Sequence, residues 1–195
     1  MENSLENTLP TGQLLEIIKY PSPVLTTKAL EVEIFDQELK DLCQNMLYTM
    51  YKAPGIGLAA PQIGISKRIF VVDVDYKREE TEEDSGEYTL SEFNPQIFIN
   101  PVLCEHEGET IFQEGCLSLP EVFEDVKRFE KVKVNYQDTD GNDHSIEADE
   151  LLSICLQHEN DHLDGIVFID RLSMLKKTFL KKKLIKAKRE VSHNL

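Results

Sequence analysis

The chain has 195 residues, 41% of them hydrophobic and 29% charged, which is enough for one compact domain with a buried core and excludes a disordered chain. Its apolar runs break at Gly, Pro or a charge well short of the about 20 residues that a membrane span needs, so no span is expected. The net charge of −15 is uneven: eight basic residues and no acid lie between Lys176 and Arg189, which leaves 13 basic against 36 acidic residues elsewhere, or −23.

Met1 to Leu15 carries glutamates and no Lys or Arg, unlike the basic start of a secretory signal, and predicts a cytoplasmic protein. From Asp36, the residues Leu39, Leu42, Cys43, Met46, Leu47, Met50 and Tyr51 recur at three- and four-residue steps. This spacing predicts an amphipathic helix capped by Asp36 and ending before Pro54. Gly55 to Gly64 has too much Gly and Pro for a helix and reads as a shaped loop. Arg68–Val74 and Gln96–Asn100 read as strands, and the acidic stretch Lys77 to Pro95 between them reads as a surface loop. Lys131–Tyr136 alternates with period two, and Asp140-Gly141 predicts a hairpin turn with Ser145–Glu147 as the return.

Asp149 to Leu163 is predicted as a second helix, stopped at Gly165. A third is expected over 173–191, with Leu180, Leu184, Ala187 and Val191 as a narrow apolar stripe among lysines. Helices mixed with several antiparallel strands give an α+β class for a single domain over 1–195. Cys43, Cys104, Cys116 and Cys155 form no CxxC pair and read as free thiols, one of them a possible metal ligand.

The chemistry concentrates at His158-Glu-Asn-Asp-His162. Residues four apart share one helical face, so both imidazoles reach one metal ion with Glu159 beside them. Leu151, Cys155, His158 and His162 follow at steps of four, three and four, which turns the histidines inward. The bland alternative is a solvated, charged helix. A catalytic site also needs a third protein ligand and an open fourth position. The extension HExxHxxGxxH is not completed, because Phe168 stands at its last position, and the one later glutamate is Glu190 in the basic tail. Cys116, after Gly115, remains a candidate, with a small buried apolar residue as the equal alternative.

Three segments, Gly55-Ile-Gly-Leu-Ala-Ala-Pro-Gln62, Glu114-Gly-Cys-Leu-Ser118 and Gln157-His-Glu-Asn-Asp-His162, resemble the signature motifs of the peptide deformylase family, in that family's order, within a likeness running from about Gln13 to Ile185. The resemblance implies antiparallel sheets around a central HExxH helix and a hydrolase that removes the formyl group from N-terminal formylmethionine, releasing formate. It assigns one divalent metal to Cys116, His158 and His162, and acid–base duty to Glu159. The oxyanion falls to the Gln62 amide and the Leu117 N–H; without the resemblance, Gln62 reads rather as a polar residue bonding its own loop. Gly55, Ile56 and Gly57 are implied to pair with substrate backbone. Leu151, Ile154 and Cys155, one or two turns before His158, are placed at the methionine pocket and serve equally well as core.

Glu114 and Arg128 are read as a pair that steadies the Cys116 loop. A thiolate with two imidazoles accepts several divalent ions: the resemblance implies Fe2+ in the cell, while Zn2+, Ni2+ or Co2+ suit the same donors. Expected partners are N-formylmethionyl nascent peptides and, through the basic C-terminal helix, the ribosome near its exit tunnel. No membrane and no sequence-specific nucleic acid is expected as a partner.

Overall fold

Two helices face each other across one antiparallel sheet in the computed structural model, which describes residues 9–81 and 88–193, the last five of these by backbone alone. The first helix, α1, spans Gln37–Lys52, and Asp36 caps it by accepting the Leu39 N–H at 3.0 Å. The sheet is built from β1 (Gly57–Ala59), β2 (Ile69–Val72), β5 (Gln96–Glu107), β8 (Lys131–Gln137) and β9 (Asp143–Ala148), in the order β1-β2-β5-β8-β9. The intervening strands β3 (Lys77–Glu80) and β4 (Tyr88–Ser91) form a ribbon of their own, as do β6 (Thr110–Cys116) and β7 (Leu119–Arg128).

The continuous apolar run of β2 follows from burial on both faces. Ile69 and Val71 point at Leu39, Cys43, Met46 and Met50 of α1, whereas Phe70 and Val72 pack with the second helix, α2 (Glu150–Leu163), at Cys155, Leu156 and Leu163. Phe70 stacks on Phe98 of β5 at 4.9 Å between ring centroids. α2 therefore lies inside the molecule, with Ser153, Gln157, Glu159, Asp161 and His162 all buried. Its polar side chains are matched locally: Gln157 donates to the Phe129 carbonyl at 2.9 Å and accepts the Phe129 N–H at 3.0 Å.

A third apolar cluster joins Leu119, Val122 and Val126 of β7 to Tyr20, Leu25, Phe168 and Ile169, and receives Leu180 and Leu184 of α3 (Met174–His193). Gly165 ends α2 with φ +71°, and a Cβ there would stand 2.9 Å from the backbone of Thr26 and Thr27, so only glycine permits that crossing.

The structure corrects several expectations. Gly55–Gly64 is not all loop: it contains β1 and a 3-10 turn over Ala60–Ile63, because Gly57 lets this short edge strand pack against Glu159 and Cys155 of α2. β5 runs on to Glu107, since register shifts between Ile99 and Val102 absorb the N–H that Pro101 lacks. The expected loop Lys77 to Pro95 carries the β3–β4 ribbon, tied by Arg78 over the Tyr88 ring at 3.8 Å and by Lys77 to Glu92 at 2.5 Å; its positions 82–87 lie outside the described residues. On α3 the apolar stripe is docked through Leu180 and Leu184, Ala187 being exposed and the side chain of Val191 outside the described residues.

Candidate metal centre

Helical spacing brings the His158 and His162 rings to 5.0 Å between centroids, at 74° to each other. The third group arrives from the end of β6, where a register shift after Glu114 re-aims the strand and sets Cys116 Sγ 3.3 Å from His162 Nε2. One donor atom from each of Cys116, His158 and His162 lies within 4.8 Å of the others, the one such cluster found among the described residues. A thiolate and two imidazoles are the donor chemistry of a divalent transition metal, with a fourth tetrahedral position left for water or substrate.

The ring of His158 is fixed from behind. Its Nδ1 faces Glu114 Oε2 at 2.7 Å, and Glu114 is held by Arg128 through Nε at 2.6 Å and Nη2 at 3.0 Å. Burial alone would raise the Glu114 carboxyl, but Arg128 and His158 outweigh it and bring it down to about 2. The carboxylate is ionised, so Nδ1 carries the proton and donates it, which leaves Nε2 with a lone pair for the metal. The network continues where the sequence was read only as a spacer. Arg128 Nη1 reaches Asp161 Oδ2 at 2.7 Å, and Asp161 is also gripped by Arg171 through Nε at 2.7 Å and through Nη2. Asp161 and Arg171 were missed; an acid within an inward-facing helix requires a cation partner, and that requirement was the available signal.

Glu159 is 4% exposed, and its Oε2 has no hydrogen-bond partner among the described residues. An orphaned oxygen beside the ligand cluster is what a carboxylate waiting on a metal, water or substrate looks like, and the residues present fit such a group. Burial, opposed by His158 and reinforced by Glu114, lifts the Glu159 carboxyl to about 7, where it both takes and returns a proton near neutrality. Gly57 makes room for it: a Cβ at 57 would run into the Glu159 carboxylate and come within 2.9 Å of Cys155 Sγ.

Gln62 makes a bond within its own loop and also turns its amide toward Cys116. Its Oε1 accepts the Ala59 N–H at 2.8 Å, a local loop bond, and this orients Nε2 across to Cys116 Sγ at 3.5 Å. Leu117 occupies the turn between β6 and β7, and Lys19, another residue the sequence did not flag, donates to its carbonyl at 2.6 Å. Tyr76 similarly donates to the Gly55 carbonyl at 3.2 Å.

These groups converge on one cleft of about 690 Å³ lined by Gly55, Ile56, Gly57, Gln62, Cys116, Leu117, Leu151, Ile154, Cys155, His158 and Glu159. All the sequence-predicted site residues thus meet there except His162, which is 1% exposed and does not line the cleft. A second cavity of about 630 Å³, lined by Glu105, His106 and Lys133 among others, contains none of them.

The family model described as polypeptide deformylase matches residues 14–178. The chain is similar to the peptide deformylase of Zymomonas mobilis, with 46% identity over 177 residues covering 90% of this chain and 96% of that protein. It is 44% identical to the peptide deformylase of Chromobacterium violaceum, over 91% and 98% of the two chains. Among solved structures, a peptide deformylase from Legionella pneumophila superposes with a TM-score of 0.77 at 39% identity, covering 92% and 98%. One from Synechococcus elongatus in complex with actinonin gives 0.73 at 40% identity, covering 87% and 86%.

Proposed function

The chain belongs to the polypeptide deformylase family, metal-dependent hydrolases that remove the formyl group from the N-terminal formylmethionine of newly made polypeptides, and from that premise we propose how its residues divide the work. Cys116, His158 and His162 hold one divalent ion. The observation that carries this is the approach of their donor atoms to within 4.8 Å beside the Oε2 of Glu159, which has no hydrogen-bond partner among the described residues. The chemistry a bound ion supplies is Lewis acidity, which makes water a nucleophile near neutral pH and draws charge toward the formyl oxygen.

Glu159 takes the proton of the attacking water as a C–O bond forms at the formyl carbon. It then gives that proton to the amine nitrogen as the C–N bond breaks, so formate and a free N-terminus leave together. The former carbonyl oxygen gains negative charge in between, and the Gln62 amide and Leu117 N–H stand as its donors. The Ala59 bond holds the Gln62 amide in that orientation beforehand, so little reorganisation is needed during the reaction.

The substrate backbone adds along β1. Asp73 N–H donates to the Ile56 carbonyl at 2.9 Å, and in an antiparallel pair the alternation then turns the N–H and C=O of Gly57 away from β2, toward the cleft. Leu151, Ile154 and Cys155 receive the methionine side chain on the floor of the same cleft. Such backbone pairing accepts many sequences after methionine.

The whole chain acts as one catalytic unit in the cytoplasm, with Fe2+ as its ion there and Zn2+, Ni2+ or Co2+ accepted by the same donors. α3 is the ribosome-facing element. Lys176 pairs with Glu124 and Lys177 and Lys181 with Asp170, which docks the helix, whereas Lys182 and Lys183 are exposed and free to meet RNA phosphates. Incubation of the metal-loaded enzyme with a formyl-Met peptide tests the reaction: formate appears and every peptide bond stays intact, whereas internal cleavage would make it a peptidase.

A further inference from the structure

The mouth of the cleft carries an aromatic ring that the catalytic roles leave unused. Phe123 of β7 lines the same cleft as His158 and Glu159 yet is 66% exposed. Burial along β7 turns Val122 and Val126 into the core and Phe123 outward. The ring lies against the backbone of Gly115, the residue before Cys116. A Cβ at Gly115 would stand 2.6 Å from Phe123 Cε1 and 2.8 Å from Cδ1, so the absence of a side chain at 115 is what seats the ring over the approach to the metal ligands. Phe112 of β6, 40% exposed, adds to the same wall. Large apolar groups held open at the mouth of a substrate cleft gain free energy when a ligand covers them.

We propose that Phe123 is a specificity-determining contact for the residue that follows formylmethionine, and that it selects an apolar side chain there. The proposal rests on the placement of the peptide along β1 and of its methionine on Leu151, Ile154 and Cys155. Successive side chains of an extended peptide point to opposite sides. With methionine turned down into the buried floor, the next side chain turns away from it, toward the open mouth of the cleft, whose lining includes the 66% exposed Phe123. Backbone pairing along β1 is blind to that residue; the ring is not. One aromatic contact of this kind discriminates by about fivefold to tenfold.

The test measures formate release from formyl-Met-Gly-Ala, formyl-Met-Phe-Ala and formyl-Met-Asp-Ala by metal-loaded wild type, Phe123→Ala and Phe123→Tyr. The expected result is a wild-type preference in kcat/KM for Phe over Gly of about fivefold, carried mainly by KM. Phe123→Ala should bring that ratio to within about twofold of unity, while Phe123→Tyr keeps it. A Phe-to-Gly ratio equal in wild type and Phe123→Ala overturns the proposal, and so does a loss of turnover common to all three peptides with the ratio unmoved. The underlying reading fails differently: wild type then releases no formate from any peptide, or hydrolyses formyl-Gly-Phe-Ala as fast as formyl-Met-Phe-Ala.

Discussion

Arg128 grips Glu114 with two nitrogens, at 2.6 and 3.0 Å, and reaches Asp161 with the third at 2.7 Å, in a setting where the Arg128 and Glu114 side chains are only 2% and 4% exposed. One buried cation thus bridges two buried carboxylates, and one of those, Glu114, orients His158, a proposed metal ligand. Removing the cation strips Glu114 of its guanidinium partner and leaves Asp161 with Arg171 alone, and breaking such a buried pair costs about 3–5 kcal/mol of stability. Arg128→Ala is expected to lower the melting temperature and to lose metal on dialysis faster than wild type. Metal content unchanged after dialysis would count against the orienting role.

Gly57→Ala should act on chemistry more than on folding. Its methyl group has to displace the Glu159 carboxylate or the Cys155 sulfur, since β1 and α2 meet there without spare room. A displacement on the order of 1 Å in a proton-transferring group costs about a hundredfold in kcat. Steady-state formate release and a circular dichroism melt on the same preparation separate that loss from unfolding.

Gln62→Glu isolates the oxyanion contribution. The substituted oxygen still accepts the Ala59 N–H, so the turn keeps its bond, while the donor aimed at the reacting oxygen is replaced by a negative charge. The expected loss is about 100- to 1,000-fold in kcat with little change in KM. A variant that retained wild-type kcat would remove Gln62 from the mechanism.

How legible this site was depended on whether its parts lie close in sequence. His158, Glu159 and His162 sit on one helix whose face was readable from periodicity, so the spacing by itself pointed to a hydrolytic metal without deciding it. Cys116 and Gln62 come from a strand end and a turn 42 and 96 positions before His158, and only the family motifs tied them to it. The same contrast holds for the fold. α1 and α2 announced themselves through their apolar steps and caps. The β3–β4 ribbon has no buried face to impose a pattern, its β3 residues all being exposed, and the β6–β7 hairpin hid behind Gly115, Pro120 and a buried glutamate that reads as a surface charge.

Acid should weaken the docking of α3. Burial would raise the Asp170 carboxyl, but ion pairs with Lys181 and Lys177 hold it below its usual range. A carboxylate depressed in the folded state contributes stability above its unfolded pKa, near 4, and loses that contribution as pH falls through the folded value. Denaturation midpoints measured from pH 7 to pH 3 should therefore fall less steeply for Asp170→Asn than for wild type, which already contains the contribution at neutral pH. Parallel curves would show that Asp170 is not part of the acid response.

The exposed lysines give a separable prediction about the ribosome. Truncation after Met174 would also strip Leu180 and Leu184 from the third apolar cluster, so charge substitution is the cleaner probe. Lys182→Glu with Lys183→Glu should abolish salt-sensitive co-sedimentation with ribosomes and leave the melting temperature within a few degrees of wild type. Binding that survives both substitutions would place the contact elsewhere.

The most direct test of the metal centre is to measure metal content and formate release together in Glu159→Gln, purified without oxygen. Glutamine keeps the size of the side chain and cannot take up the proton, while Cys116, His158 and His162 are untouched. The expected result is one ion per chain, as in wild type, with turnover of a formyl-Met peptide reduced at least about a hundredfold. Turnover near the wild-type level with the ion in place would contradict the role of Glu159, and a variant that lost its ion would contradict the separation of ligands from the proton-handling residue.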